Sequence, residues 1–266
     1  EKPILLQFLS RAGAPVMSHP RVLVEAAGRS EATLIEHYVG EADAANFTNV
    51  VGELMLDRGA ILNHYKLQEA PLGDLHIASI HVEQSRDSRY TSYNLNLGGA
   101  LVRNDLICEL DGQGAESNLY GLFFGQGRQH VDNHTKVNHN APLTFSNENY
   151  KGILDDRAQG VFNGRVYVKR DSQKIEGFQS NQNLLLSDRA QINAKPELEI
   201  YADDVKCSHG TTTGQLDEEA VYALRTRGID EATARGLLTL AFAGEVLEQV
   251  TLDAIAERVE LAVAGK

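Results

Sequence analysis

From about Arg21 to about His209, short apolar clusters alternate with polar turns. The stretch "RVLVE" sets Val22 and Val24 on one face. "GRVYVKR" sets Val166 and Val168 on one face and Arg165, Tyr167 and Lys169 on the other. "ALVRNDLICEL" puts Val102, Leu106, Cys108 and Leu110 on one parity. Successive side chains of a strand point to opposite faces, so a period of two predicts half-buried strands. Almost nothing in this region sustains a period of 3.6, and few helices are expected there. From Leu216 the texture changes. Asp217 can cap a helix through "EEAVYALRTR" that stops at Gly228, and Asp230 can cap a second over "EATARGLLTLAFAGEVLEQV". In the second, Leu238, Phe242 and Val246 recur at i, i+4, i+8 on one helical face. Thr251 can cap a third, with Leu252, Ile255, Ala256, Val259 and Val263 on a stripe. The apolar faces of this tail either pack on the β body or receive a partner.

The strand region repeats. "LDDRAQ" (Leu154 to Gln159) returns further on as "LSDRAQ" (Leu186 to Gln191). "LDRGA" (Leu56 to Ala60) has the same frame, and "LGGA" (Leu97 to Ala100) is a shorter version. Each reads as a strand, a tight polar corner and a small residue where the chain turns inward, which is what a stack of coils needs. Hairpin signals are sparse: Asn163-Gly164 and Asp111-Gly112 occur once each. The pattern therefore predicts an all-β core built as a parallel β-helix over residues 1–215, with a helical subdomain over 216–266. At about 20–25 residues per coil, the usual solenoid repeat, seven to nine coils are expected.

Composition narrows the function. The formal net charge of −12 argues against nucleic acid as a main partner and against an anionic membrane surface. No apolar run approaches the ~20 residues that span a bilayer, and the first residues do not read as a signal peptide. Two cysteines, Cys108 and Cys207, cannot make a disulfide framework, and such sparse usage suits a reducing cytoplasm. No phosphate loop, dinucleotide fingerprint or nucleophile elbow is present.

Two stretches carry chemistry. In "DDVKCSHG", Val205, Cys207 and His209 share one face, while Leu198, Ile200 and Ala202 have the opposite parity; a corner is expected at Asp203-Asp204. A thiolate and an imidazole about 7 Å apart along a strand can both reach one soft metal ion. They are half a site, because zinc or an iron–sulfur cluster wants about four ligands. The alternative is simple packing. A Cys–His nucleophilic dyad lacks an orienting group and an oxyanion hole. In "RQHVDNHTKVNHN", His130, Asp132 and His134 lie at i, i+2, i+4 on one face, with His139 facing the other way. His-x-Asp-x-His is a plausible metal set, or else a polar ladder on the outside of the solenoid. Cys108 reads as a core residue.

Several stretches, in order, resemble the SufB/SufD family of iron–sulfur assembly proteins: "FTNVVGELML", "LGGALVRNDL", "QHVDNHTKVNH", "YKGILDDRAQGVFNGRVYV", "QSNQNLLLSDRAQINAKPELEIYADDVKCSHG" and "TRGIDEATARGLLTLAFAGEVLE". The likeness runs from about residue 21 to 250, and "LEIYADDVKCSHG" followed by "GQLDEEAVYALRTRGI" is nearer the SufD branch. The resemblance implies a right-handed parallel β-helix with a C-terminal helical subdomain. It implies a non-enzymatic subunit that pairs with a SufB-like chain, or with itself as a homodimer, through the end of the β-helix. It implies docking of a SufC-like ABC-type ATPase on the helices after Leu216. It further implies that His209, with Cys207 beside it, is a candidate ligand for a transient cluster shared with the partner, none being held stably by the isolated chain. The sequence departs from the family in three places. A longer helical N-terminal region is largely missing, so the stretch ahead of Arg21 reads as its remnant. "GTTTGQ" stands where "GATVGQ" is usual. Ser172 stands where Ala is common and is read as a surface position. Two other readings remain open: a metal-dependent β-solenoid enzyme using His130, Asp132 and His134, and a pure interaction scaffold that binds no metal.

Overall fold

The computed structural model describes residues 2–11, 14–41 and 45–264. In chain order the strands are β1 (Ile4–Ser10), β2 (Met17–Ser18), β3 (Arg21–Ala26), β4 (Glu31–Gly40), β5 (Phe47–Leu56), β6 (Ile61–Glu69), β7 (Leu75–Gln84) and β8 (Arg89–Asn96). They continue as β9 (Leu101–Leu110), β10 (Glu116–Gly125), β11 (His130–His139), β12 (Phe145–Leu154), β13 (Gln159–Val168), β14 (Ile175–Leu185), β15 (Gln191–Ile200) and β16 (Val205–Gly214). Three helices follow: α1 (Glu218–Arg225), α2 (Glu231–Leu247) and α3 (Asp253–Ala264).

The strands form two sheets in which every pairing is parallel. One runs β1-β4-β6-β8-β10-β12-β14-β16 and the other β15-β13-β11-β9-β7-β5-β2, with β3 also on β5. The chain alternates between the sheets, so the architecture is the expected parallel β-helix, flattened into two faces. β2 and β3 are two pieces of one edge strand, interrupted at His19-Pro20 because proline has no N–H for the ladder. The described part of the chain ahead of Arg21 thus supplies strands to both sheets.

The expected coil length needs correction. Strands of the first sheet begin at Ile4, Glu31, Ile61, Arg89, Glu116, Phe145, Ile175 and Val205. A typical coil holds two ten-residue strands, such as β11 and β12, and a polar corner after each. The coils are therefore longer than the usual solenoid repeat assumed from the sequence, and about seven turns result. The repeated corners are real, but they fall on both edges. "LGGA", "LDDRAQ" and "LSDRAQ" lead from the first sheet to the second, whereas "LDRGA" leads back. The aligned corners are laced by backbone bonds: Leu186 N–H donates to the Leu154 carbonyl (2.8 Å) and Gln191 N–H to the Ala158 carbonyl (3.0 Å). Ala158 and Ala190 are buried beneath them, and Ala60 is buried at the opposite edge.

The space between the sheets is apolar in its middle, where Leu54, Leu62, Val82, Tyr90, Cys108, Leu119 and Phe162 pack together. Cys108 is a core residue, as its parity suggested. Other inward rows are polar. Lys66 Nζ donates to Asn104 Oδ1 at 2.7 Å, and Asn104 joins Asn94, Asn96 and Asn133 in one network. Burial pushes Lys66 down to about 7. Ser172 corrects a further expectation: it is fully buried, and its hydroxyl has no hydrogen-bond partner among the described residues.

The helices cover the outer face of the first sheet. Tyr65, Tyr93, Leu95, Leu122, Phe124 and Ile153 project outward and meet Ala243, Val246, Leu247, Ile255, Val259 and Val263. Polar contacts fix the docking. Lys151 Nζ pairs with Glu245 (2.7 Å) and donates to the Phe242 carbonyl (3.0 Å), and the Tyr65 hydroxyl meets Thr251 Oγ1 (2.8 Å). Asp217 and Asp230 cap α1 and α2 as read. The buried face of α2 is made by Ala234, Thr239, Ala243, Val246 and Leu247; of the row expected through Leu238, Phe242 and Val246, Val246 is fully buried, Phe242 packs partly buried against the same cluster and Leu238 is half-buried. Small residues there let the helix lie close to the sheet.

Candidate functional site

Cys207 and His209 lie on β16, the last strand of the first sheet. The corner at Asp203-Asp204 sits between β15 and β16 as the parity required. Register shows where the two side chains point. Cys207 pairs with Gly177 and His209 with Gln179, and both partners are buried positions facing the other sheet. Cys207 and His209 therefore occupy inward rows, but of the terminal coil. Among the described residues no further strand covers them, and both β15 and β16 present an unpaired edge. Cys207 is half-buried and His209 exposed.

Each residue stands at the head of a distinct file. Below Cys207 come Gly177, Ser146 and Ser117. Gly177 has no side chain to separate the layers: a Cβ there would lie 3.4 Å from Cys207 Sγ and 3.5 Å from Ser146 Oγ. Ser146 Oγ is held by His139 Nε2 at 2.9 Å, and the other ring nitrogen meets Thr144 Oγ1 at 2.7 Å. Burial pushes His139 down to about 4, so the ring is neutral and accepts at one nitrogen while donating at the other. Burial also raises the Cys207 thiol above its ordinary range, with the Gly177 backbone offsetting part of the effect. Below His209 come Gln179 and Glu148. Gln179 Nε2 donates to Glu148 Oε2 at 2.5 Å. Burial pushes Glu148 up to about 7.

Opposite these files, β15 turns Ile192, Ala194, Pro196, Leu198 and Ile200 to the same open end by the register of its pairing with β13. Cys207, together with Leu198 and Val205, packs partly buried against the cluster of Val166, Val168, Ile175 and Ala202. Pro196 stands in a strand that has one free edge, where a missing N–H is tolerated. Ile200 and Tyr201 are exposed large apolar residues at this end. The terminal rung combines a soft thiol, an imidazole, an apolar wall and two open edges. It can offer two ligands and accept another chain along its strands.

His130, Asp132 and His134 lie on the outward face of β11, while His139 faces inward. The structure links Asp132 with His134 (2.8 Å) but gives Asp132 a second partner, Arg103 (2.8 Å), which also takes both oxygens of Asp105. His130 Nδ1 lies 3.3 Å from Gln159 Oε1. A guanidinium thus already faces the carboxylate that would anchor a cation. Among the described residues no group of three or more His, Cys, Asp or Glu is placed to hold a metal ion. Glu148 and Gln179 were missed in the sequence. Their parity with Ser146 and Gly177 marks them as inward, but polar inward residues do not show in a search for apolar alternation.

A two-sheet parallel β-helix with a thiol and an imidazole on its terminal rung, and helices on one face, places the chain among the parallel β-solenoid proteins. Comparison with known proteins narrows it. Residues 8–242 match the family described as SUF system FeS cluster assembly, SufBD core domain. The chain is 36% identical to an iron-sulfur cluster assembly SufBD family protein of Synechocystis sp., slr0076, with 99% of this chain and 60% of the relative covered. It is 35% identical to the iron-sulfur cluster assembly protein SufD of Escherichia coli, covering 97% and 62%. It is 33% identical to the chloroplastic protein ABCI7 of Arabidopsis thaliana, covering 94% and 54%. The chain belongs to the SufBD family. It spans about three fifths of the length of the first two relatives.

Proposed function

We propose that this chain is a SufD-like, non-enzymatic subunit of an iron–sulfur cluster assembly scaffold. Its open β-helix end pairs with a SufB-like chain, and the nascent cluster, which is cargo, is held there between the two. The observation that carries the reading is the position of Cys207 and His209 on an inward row of the last strand. Two ligands are too few for a cluster within one chain, and a second chain added along the free edges of β15 and β16 supplies the rest. The exposed apolar residues Ile200 and Tyr201 support pairing at that end. On the helical side, Tyr222 and Leu261 are 69% and 75% exposed, away from the faces that pack on the sheet, and they suit docking of an ABC-type ATPase. Relatives named for iron–sulfur assembly support the same reading.

The test is anaerobic reconstitution of the complex after co-purification with a SufB-like chain and the ATPase. His209→Ala leaves the fold intact, because the side chain is exposed, and abolishes cluster assembly. Full assembly by that variant removes His209 from the ligand set. Metal analysis of the isolated chain tests the solenoid-enzyme reading in parallel: a tightly held stoichiometric ion lost on His134→Ala replaces this proposal with that one.

A further inference from the structure

Gln179 is 3% exposed and sits one rung beneath His209 in the same inward file. Its two amide atoms have different fates. Nε2 is committed to Glu148 Oε2 at 2.5 Å, while Oε1 is buried without a hydrogen-bond partner among the described residues. A buried carbonyl left unpaired costs free energy, and such an atom calls for an explanation. One rung of a parallel sheet is about 4.8 Å, so an imidazole on the rung above comes within reach of that oxygen by side-chain rotation. Histidine ligands commonly donate the ring N–H that does not bind metal to an outer acceptor, which fixes tautomer and ring orientation.

We propose that Gln179 is a positioning residue for His209. Its Oε1 accepts one ring N–H, and Glu148 holds the amide so that oxygen rather than nitrogen faces the terminal rung. The other ring nitrogen is then left as a lone-pair donor directed out of the open end. An ionised carboxylate only accepts hydrogen bonds, so Glu148 in that state leaves Gln179 a single amide orientation. The inference rests on the reading of His209 as a ligand, and it adds which residues aim it.

The experiment is long-range proton–nitrogen NMR on the full chain labelled with ¹⁵N-histidine, at about pH 8.5, with the His209 signal assigned by its loss in His209→Ala. In the wild type one tautomer dominates. Gln179→Leu relaxes the tautomer ratio by about three- to tenfold, the range set by one neutral hydrogen bond. Glu148→Gln keeps size and shape but frees the amide to turn over, and it shifts the ratio in the same direction; it serves also if the leucine variant does not fold. An ordinary tautomer mixture in the wild type, unchanged in both variants, overturns the proposal. Cluster assembly by the reconstituted complex is measured on the same variants. If His209→Ala assembles clusters fully, the ligand reading fails, while the tautomer ratio still decides whether Gln179 orients the ring.

Discussion

Replacing Glu148 with Gln removes a buried carboxylate two rungs below the open end of the β-helix while keeping the oxygen that accepts from Gln179. Glu148 is 2% exposed, and burial pushes it up to about 7 from an ordinary value near 4.5. A carboxyl whose folded pKa is raised favours the folded state most at low pH. Its contribution is complete below the unfolded value and is lost as pH rises toward the folded one. A displacement of this size, at 1.36 kcal/mol per unit, makes the ionised form cost about 3 kcal/mol. The wild type therefore loses roughly 2 to 3 kcal/mol from this group between pH 5 and pH 8. Glu148→Gln has no such loss, so it is close to neutral at pH 5 and stabilising by about 2 to 3 kcal/mol at pH 8. Urea unfolding of both proteins at the two pH values measures this, with equal slopes confirming comparable unfolded states. A difference between variant and wild type that stays the same at pH 5 and pH 8 refutes the argument. That a chain keeps such a group under His209 fits a role at the site rather than in stability.

Other outcomes follow from packing. Gly121→Ala places a Cβ 2.2 Å from the Tyr150 ring, which lies across it, and urea unfolding shows a loss of about 3 kcal/mol, the upper part of the overpacking range. Ser172→Ala removes a buried, unpartnered hydroxyl and raises stability by about 1 kcal/mol in the same assay. Glu245→Ala leaves Lys151, 5% exposed, without its carboxylate; because Glu245 itself is largely exposed, the cost is only about 1 kcal/mol, seen as faster hydrogen exchange in α2. The Lys151 ammonium holds Glu245 below the usual carboxylate range, so this pair contributes at neutral pH and is lost as pH falls through that lowered value.

Alternation of residues such as Val166 and Val168 made the strands legible, and the recurrence of "DRAQ" made the stacking legible, because corners of a solenoid must repeat to superpose. Coil length was not legible from the motif frame. "LDRGA" and "LDDRAQ" look alike but sit on opposite edges, and only the pairing register separates them. The helix caps Asp217 and Asp230 were readable because capping is a local interaction. The buried face of α2 was legible only in part, through Val246 and Phe242, since its full extent is chosen by the tyrosines and leucines of a distant sheet. At the site, parity placed Cys207 and His209 on one face, but only the register with β14 shows that face turned inward at an open end. Ser172 was misread because a polar corner residue looks exposed until the next coil lies over it.

The most direct measurement of the central claim is pulsed electron paramagnetic resonance on the reduced cluster in the reconstituted complex, with ¹⁵N-histidine carried only by this chain. With His209 as a ligand, a nitrogen hyperfine coupling is expected that disappears in His209→Ala. A cluster that forms with no such coupling, or with one that survives the substitution, contradicts the claim.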